Sequence, residues 1–386
     1  SSLANLRELF GDGGALAIAQ ASSAIVPGVR DFAARSGADV WLREAPMLKV
    51  SAALAQDAAL DENVEAARAL GVDEEAVPLS AAEVAERCAS PRFRRGVLFR
   101  DGATVHPGRL VRALRAAALE AGVELYERTP VARIRRGSPN VLETTRSRVR
   151  ARDVVVATNA AAAGWRPLAR RLTVFGSYVV LTEPVPELLE RINWTGGESI
   201  VDGRMFLHYF RTTNDGRVLM GSGSGPIGFR GKLDERFTSD APTAARAERG
   251  LRRLLPGLAD ARIERAWGGP IDVSADHLPF FKTVPGTRRV HYGLGYSGHG
   301  VGPSWLGGQI LASLALGLED EWTALPLATR KVASLPPEPL KRLGGGLVRT
   351  AIMACERAEE DGRRAPLPAR LGAALPKLFR MEIGTR

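Results

Sequence analysis

The residues best placed to do chemistry lie in one stretch, Val290 to Leu316, which reads VHYGLGYSGHGVGPSWLGGQILASLAL. Val290-His291-Tyr292 predicts a short strand. Gly293, Gly295, Gly298 and Gly300 follow at close spacing, and from Pro303 the residues Leu306, Ile310, Leu311 and Leu314 recur at helical period. A strand therefore enters a glycine-rich turn, and the turn opens a helix. Glycine lets a backbone approach a ligand closely, and a helix N-terminus presents unpaired N–H groups with a partial positive charge. That combination suits a phosphate, a carboxylate or an electron-rich ring oxygen. Ser297 and His299 do not make a hydrolase site, because no G-x-S-x-G elbow surrounds the serine and no third member is in view.

Gly293-Leu294-Gly295-Tyr296-Ser297-Gly298 also matches G-x-G-x-x-G, with Glu319 downstream. A dinucleotide fingerprint requires that acid on a second strand, whereas Glu319 falls at the end of the helix. The chain beyond Glu319 is Pro-rich and basic, so the fingerprint reading is set aside.

Other elements must hold this stretch. Residues 1–37 read as helix, with Pro27 kinking or dividing it. A strand region interrupted by Pro46 runs to Ser51, and a helix from Asn63 to Leu70 stops at Gly71. Ser80 and Glu83 form a capping box, and Phe93 to Phe99 reads as a strand. Pro107 opens a helix that Gly122 closes, followed by strands at Val123–Tyr126 and Thr129–Ile134. Asp153 to Ala160 reads DVVVATNA, a buried parallel strand with small polar residues at the edge where ligands sit in open α/β sheets. From Leu172 the pattern changes to alternating strands and hairpins, Asp215-Gly216 being a hairpin signal. A helix is expected from Gly346 to Glu360.

Gly295-Tyr296-Ser297-Gly298-His299-Gly300 resembles the flavin motif G-[FY]-S-G-H-G of the glycine/D-amino-acid oxidase (DAO) family of FAD-dependent oxidoreductases. The DVVVATNA run, the helix-and-strand block His106–Ile134, and Trp267 to Pro279 with Gly269, Asp276 and Pro279 resemble three further family segments in the same order. The resemblance covers roughly residues 1–325. It implies an α/β (α+β) fold: a Rossmann-like FAD-binding domain (1–37, 92–171 and 273–325), a mixed-sheet substrate domain (38–91 and 172–272), and a helical, basic C-terminal extension (326–386) appended to the core. The family's first βαβ unit, with its own G-x-G-x-x-G, is absent from the sequence given, which begins Ser1-Ser2-Leu3. The expected domain is therefore N-terminally truncated, and this chain alone is expected to hold FAD weakly.

The resemblance also implies roles. FAD would be met by Val131, Thr158, Asn159 and Ala160, and by Gly269, Gly295, Ser297, Gly298, Gly300, Val301 and Gly302. The N–H groups around Gly300, Val301 and Gly302 would stabilise negative charge on the ring. Tyr296 and His299 are the catalytic candidates; His299 acts through its side chain or its backbone, and both stay open. Sarcosine-oxidase-like members carry a carboxylate-gripping lysine at the position of Gly302, so an amine is expected in preference to a small α-amino acid. Gly176-Ser177-Tyr178 and the Met205–Gly225 hairpin resemble the γ-glutamylputrescine-oxidase-like branch, which makes His208, Tyr209 and Arg211 substrate candidates. The implied activity is oxidation of an amine to an imine by hydride transfer to the flavin, with oxygen as acceptor and peroxide released. A non-catalytic fragment, or a flavoenzyme for an amino acid or hydroxy acid, are the alternatives.

Composition bounds the rest. A chain of 386 residues with 45% hydrophobic and 25% charged content can build two cores. Cys88 and Cys355 are the only cysteines, which excludes a disulfide framework or a cysteine metal site, and fits a cytoplasmic setting. Neither lies near the flavin motifs, so non-covalent FAD is expected. The net charge is +10, and residues 331–386 hold 11 Lys+Arg against 6 Asp+Glu. That tail has one aromatic, Phe379, so no nucleic-acid partner is expected. The apolar runs read as too short for a membrane span.

Overall fold

The computed structural model describes residues 2–287 and 289–378. Helices α1 (Leu3–Ser23) and α2 (Ile25–Ser36) open the chain. They divide at Ala24 rather than at Pro27, which sits in the first turn of α2, where an N–H has no intrahelical partner. By length and composition Leu3–Ser36 would suffice to cross a membrane, contrary to the sequence expectation. Here Gly11 (φ 68°) interrupts it, and Leu6, Ala15 and Ile18 pack into one core cluster with Phe281, Leu306 and Ile310.

Next come β1 (Arg43–Glu44), β2 (Met47–Ser51), α3 (Asp57–Ala69), β3 (Ala76–Leu79), α4 (Ala81–Ala85), β4 (Arg95–Phe99), β5 (Ala103–Thr104) and α5 (Pro107–Glu120). The Ser80–Glu83 capping box forms as expected. Residues 123–126 join no ladder, although a strand is predicted there. Strand propensity needs a neighbour to take the backbone N–H groups, and none pairs with them among the described residues. The strands β6 (Val131–Arg135), β7 (Asn140–Thr144) and β8 (Arg148–Ala151) form an antiparallel meander, and β9 (Val154–Val156) follows.

The chain continues through β10 (Thr173–Thr182), α6 (Pro186–Arg191), β11 (Ser199–Asp202), β12 (His208–Thr212), β13 (Val218–Ser222), α7 (Ala241–Leu254) and β14 (Ile263–Val273). It closes with β15 (Phe280–Thr283), β16 (Val290–Leu294), α8 (Pro303–Leu316), α9 (Glu321–Ala324), α10 (Pro326–Thr329), α11 (Leu340–Glu360) and α12 (Leu367–Leu378). One sheet has eight strands in the order β14-β10-β13-β12-β11-β2-β4-β3. Strand β4, from the segment expected to serve the cofactor, thus lies in this sheet, paired to β2 and β3. A three-stranded sheet, β15-β16-β9, pairs β16 parallel to β9. Only one face of β9 is covered: Val154 is buried and Val155 is exposed, where the sequence predicts burial on both sides.

Strand β10 shows how the large sheet serves a site. Its burial alternates at period two: Val174 and Val180 point into the cores, Tyr178 is buried on the same side, and Phe175, Ser177 and Val179 face the other way. That second face becomes the wall of a cavity.

Candidate functional site

Parallel pairing aligns the C-terminal ends of β9 and β16, with Val154 opposite Val290 and Val156 opposite Tyr292. The segments leaving them, Thr158–Ala160 and Gly295–Ser297, therefore emerge at one edge, where an open α/β sheet makes its crevice. Asp272, near the end of β14, ties them together. Asn159 Nδ2 donates to its Oδ1 at 3.2 Å, Gly295 N donates to its Oδ2 at 2.5 Å, and Ser297 N donates to its main-chain oxygen at 2.9 Å. Burial raises the pKa of the Asp272 carboxyl, and the backbone N–H groups pointing at it oppose that rise.

The loop itself is wound through left-handed backbone: φ is 82° at Gly295, 53° at Ser297 and 89° at Gly298. Ser297 tolerates this because its Oγ donates to Gly295 O at 3.0 Å and takes a hydrogen bond from Ser274 N at 3.3 Å. Gly293 and Gly295 serve packing, since a Cβ on either would strike Phe281 or Phe280. This agrees with setting the dinucleotide reading of these glycines aside. Beyond the turn, the N–H groups of Gly300, Val301 and Gly302 have no partner within the chain among the described residues, and no side chain caps α8. A row of free donors ends the loop, on the side that an electron-rich edge would need.

Beside this loop lies a cavity of about 660 Å³. Gly269, Ser297, Gly298 and His299 line one end, and Phe175, Ser177 and Val179 of β10 form a side wall. Nothing stands within 4 Å of where a Gly269 Cβ would be, so that position adds open space. Among the described residues no carboxylate lines the cavity, and the only lysine or arginine that does is Lys341. Its ammonium donates to Ala169 O and Leu172 O, both at 3.0 Å, and burial lowers its pKa. Two histidines line the cavity. Burial brings His277 down to about 4, so its imidazole is neutral at pH 7, whereas His299 stands exposed on the loop.

The structure brings Tyr209, Gly269, Ser297, Gly298 and His299 to the cavity. It does not bring His208 or Arg211 there. His208 is on the opposite face of β12 from Tyr209, buried against Gly250, with Nδ1 2.8 Å from Asp202 Oδ2. Arg211 donates to Val105 O at 3.2 Å and Thr212 O at 3.3 Å. Tyr209 packs over Gly221 with its hydroxyl 2.8 Å from Ser177 Oγ. The Tyr296 ring lies against Phe281 and Gly307 in the packing of α8 and is not among the lining residues; burial pushes its phenol up to about 12. Val131 is exposed on β6, and Thr158 and Asn159 stand at the sheet edge with Ala160 buried behind them. Asp272 escaped the sequence expectations because its partners are 113 and 23 residues away. His277 also lines the cavity, at φ 57°.

Three comparisons bear on this site. The family model DAO, described as FAD dependent oxidoreductase, matches residues 5–314. A probable oxidoreductase OrdL of Rhizobium meliloti is 32% identical over 279 residues, covering 70% of this chain and 59% of the relative. The gamma-glutamylputrescine oxidoreductase of Escherichia coli is 29% identical over 279 residues, covering 72% and 61%. The chain thus spans about six-tenths of the length of these curated relatives. Among solved structures, glycine oxidase from Geobacillus kaustophilus superposes with a TM-score of 0.70 at 23% identity, covering 83% of this chain and 84% of that one. At that identity the likeness shows the fold.

Proposed function

Because the chain belongs to the DAO family of FAD-dependent oxidoreductases, we propose that it takes part in oxidising the C–N bond of an amine, with FAD held non-covalently at the 295–302 loop. The observation that carries this reading is the row of free N–H groups at Gly300–Gly302 beside a cavity with no carboxylate among its described lining residues. The residues fit the ring end of the cofactor: Gly298 and Gly300 leave the backbone approachable, and the free donors suit a ring edge that gains negative charge. When bound, FAD supplies a two-electron acceptor.

The chain's own residues set the rest. A cavity without a carboxylate offers an ammonium no partner, so the amine is taken up neutral, with its lone pair free. Neutral His277 adds no positive charge to oppose it. At Gly302 there is no side chain to grip a carboxylate, and the Lys341 ammonium is already engaged with Ala169 O and Leu172 O. This supports an amine over a small α-amino acid. The amine loses two electrons and two protons to give an imine, which water hydrolyses to an aldehyde; oxygen takes the electrons and protons to form peroxide.

Peroxide release with FAD supplied should favour amines over N-methylglycine and proline. Faster turnover of those two amino acids would contradict the reading. Turnover relative to total amine should also rise about tenfold per pH unit below the amine's own pKa, ~10 for an alkylamine. A flat profile there would mean that the ammonium form binds. Cys88 is buried and Cys355 lies on α11, and neither lines the cavity. Acid precipitation should therefore leave all flavin in the supernatant; yellow colour on the pellet would rule out non-covalent binding.

A further inference from the structure

We infer that α11 and α12 form the apolar far wall of the cavity and select an amine carrying a long hydrocarbon body. The inference rests on the proposed reaction only for the reacting end. The family match stops at residue 314, and both helices lie beyond it.

The tail is built into the fold. Leu335 N donates to Arg170 O at 2.8 Å, and Arg349 Nε donates to Ser224 O at 3.1 Å. Phe206 N donates to Glu356 Oε1 at 2.8 Å, and Val348 and Ile352 pack in one cluster with Phe206. These contacts fix which face of α11 looks inward.

That face is Leu340, Gly344 and Val348, spaced one turn apart, with Lys341 and Gly345 beside them, and α12 adds Leu375 and Pro376. Gly344 is informative. Glycine is the poorest helix former after proline, so a mid-helix glycine calls for a reason. At Gly372 the reason is packing: a Cβ there would meet Ala351 Cβ at 2.7 Å. At Gly344 a Cβ would meet nothing within 4 Å, and φ is not positive. The missing side chain leaves room in the cavity, and room bounded by leucine, valine and proline suits hydrocarbon.

Among the described residues no charged group is free to receive a polar distal end, and the Tyr209 hydroxyl, which lines the cavity, is paired with Ser177 Oγ at 2.8 Å. His208 is bound to Asp202 and Arg211 to Val105 O, while Lys341 is occupied by two carbonyls. A second ammonium or an amide in this wall would lose its water without compensation. A hydrocarbon loses nothing and gains burial.

The test uses 1-alkanols of increasing length, which cannot undergo C–N oxidation, titrated calorimetrically into the 386-residue chain. Affinity is expected to rise about fourfold per added CH₂, the equivalent of ~0.8 kcal/mol, until the cavity is full. Gly344→Leu should lower affinity for the longest alkanols at least tenfold, and for the shortest less than twofold. Circular dichroism checks that α11 persists. Should Gly344→Leu not fold, Leu340→Glu alters a largely exposed lining residue and should weaken long-chain binding equally. Affinity independent of chain length, or long-chain binding unchanged in a folded variant, overturns the inference. Length-dependent binding without any amine oxidation would sink the proposed reaction and leave the apolar wall standing.

Discussion

Asp272→Ala should abolish even the weak flavin binding expected of this chain, and any turnover with FAD supplied, while leaving the large sheet folded. The Asp272 carboxylate is the common acceptor for Asn159 Nδ2 and Gly295 N, so it holds two otherwise separate segments at one edge. Asn159 is exposed and water can replace its partner. Gly295 is buried, and its orphaned N–H costs about 1–3 kcal/mol. That cost falls where the loop must keep φ of 82° at Gly295 and 53° at Ser297, conformations that a loosened loop would abandon. Asp272→Asn keeps one oxygen for Gly295 and should retain most flavin. Its pH dependence gives a second readout. Burial raises the folded pKa of Asp272 above its unfolded value. The native state then holds the proton more tightly, so stability from this group falls as pH rises through the interval between the two pKa values. Above the folded pKa the penalty is complete. Denaturant melts should therefore show wild type losing ground to Asp272→Asn between acid and neutral pH. The opposite trend would mean that the ionised carboxylate is net favourable here.

The parts legible in the sequence are those written locally. The strand–turn–helix of 290–316 announces itself by a change of period at a cluster of glycines, and the Ser80–Glu83 box by spacing alone. The facing of β12 was not legible, because both of its sides meet apolar surroundings. Phe210 goes to the core and Tyr209 to the cavity, so alternation fixes which residues share a face without saying which face is which. His208 was therefore expected at the substrate and is instead locked to Asp202. Residues 123–126 have strand composition and no partner strand among the described residues. The helix of the tail was legible, but Asp272 and the docking of the tail were not, for a common reason: their partners are distant in sequence, and neither changes any local pattern.

The tail's attachment leads to the largest stability effect, that of Arg330→Ala. Arg330 pairs with Asp276 across 54 residues through both of its terminal nitrogens, and Nη2 also donates to Leu278 O at 2.9 Å and Pro279 O at 3.3 Å. Both side chains are nearly buried, 6% and 12% exposed. Asp276 further accepts from Ser274 Oγ and Leu278 N, each at 3.2 Å, and so shapes the turn that carries Ser274, Ala275 and His277 into the cavity. Removing the guanidinium leaves a buried carboxylate without its charge partner, at a cost of about 3–5 kcal/mol. Arg330→Lys keeps the charge but loses the two-pronged geometry and should fall between wild type and alanine. Asp276→Ala should be comparably harmful alone, and the double variant should cost clearly less than the sum, because each single change strands the other partner. The readouts are denaturant midpoints for the four chains and alkanol affinity for Arg330→Ala, which should weaken as the 274–279 turn loosens. Additive effects, or a loss below about 1 kcal/mol for Arg330→Ala, the range of an exposed pair, would mean that the Arg330–Asp276 pair does not anchor the start of the tail to the 274–279 turn.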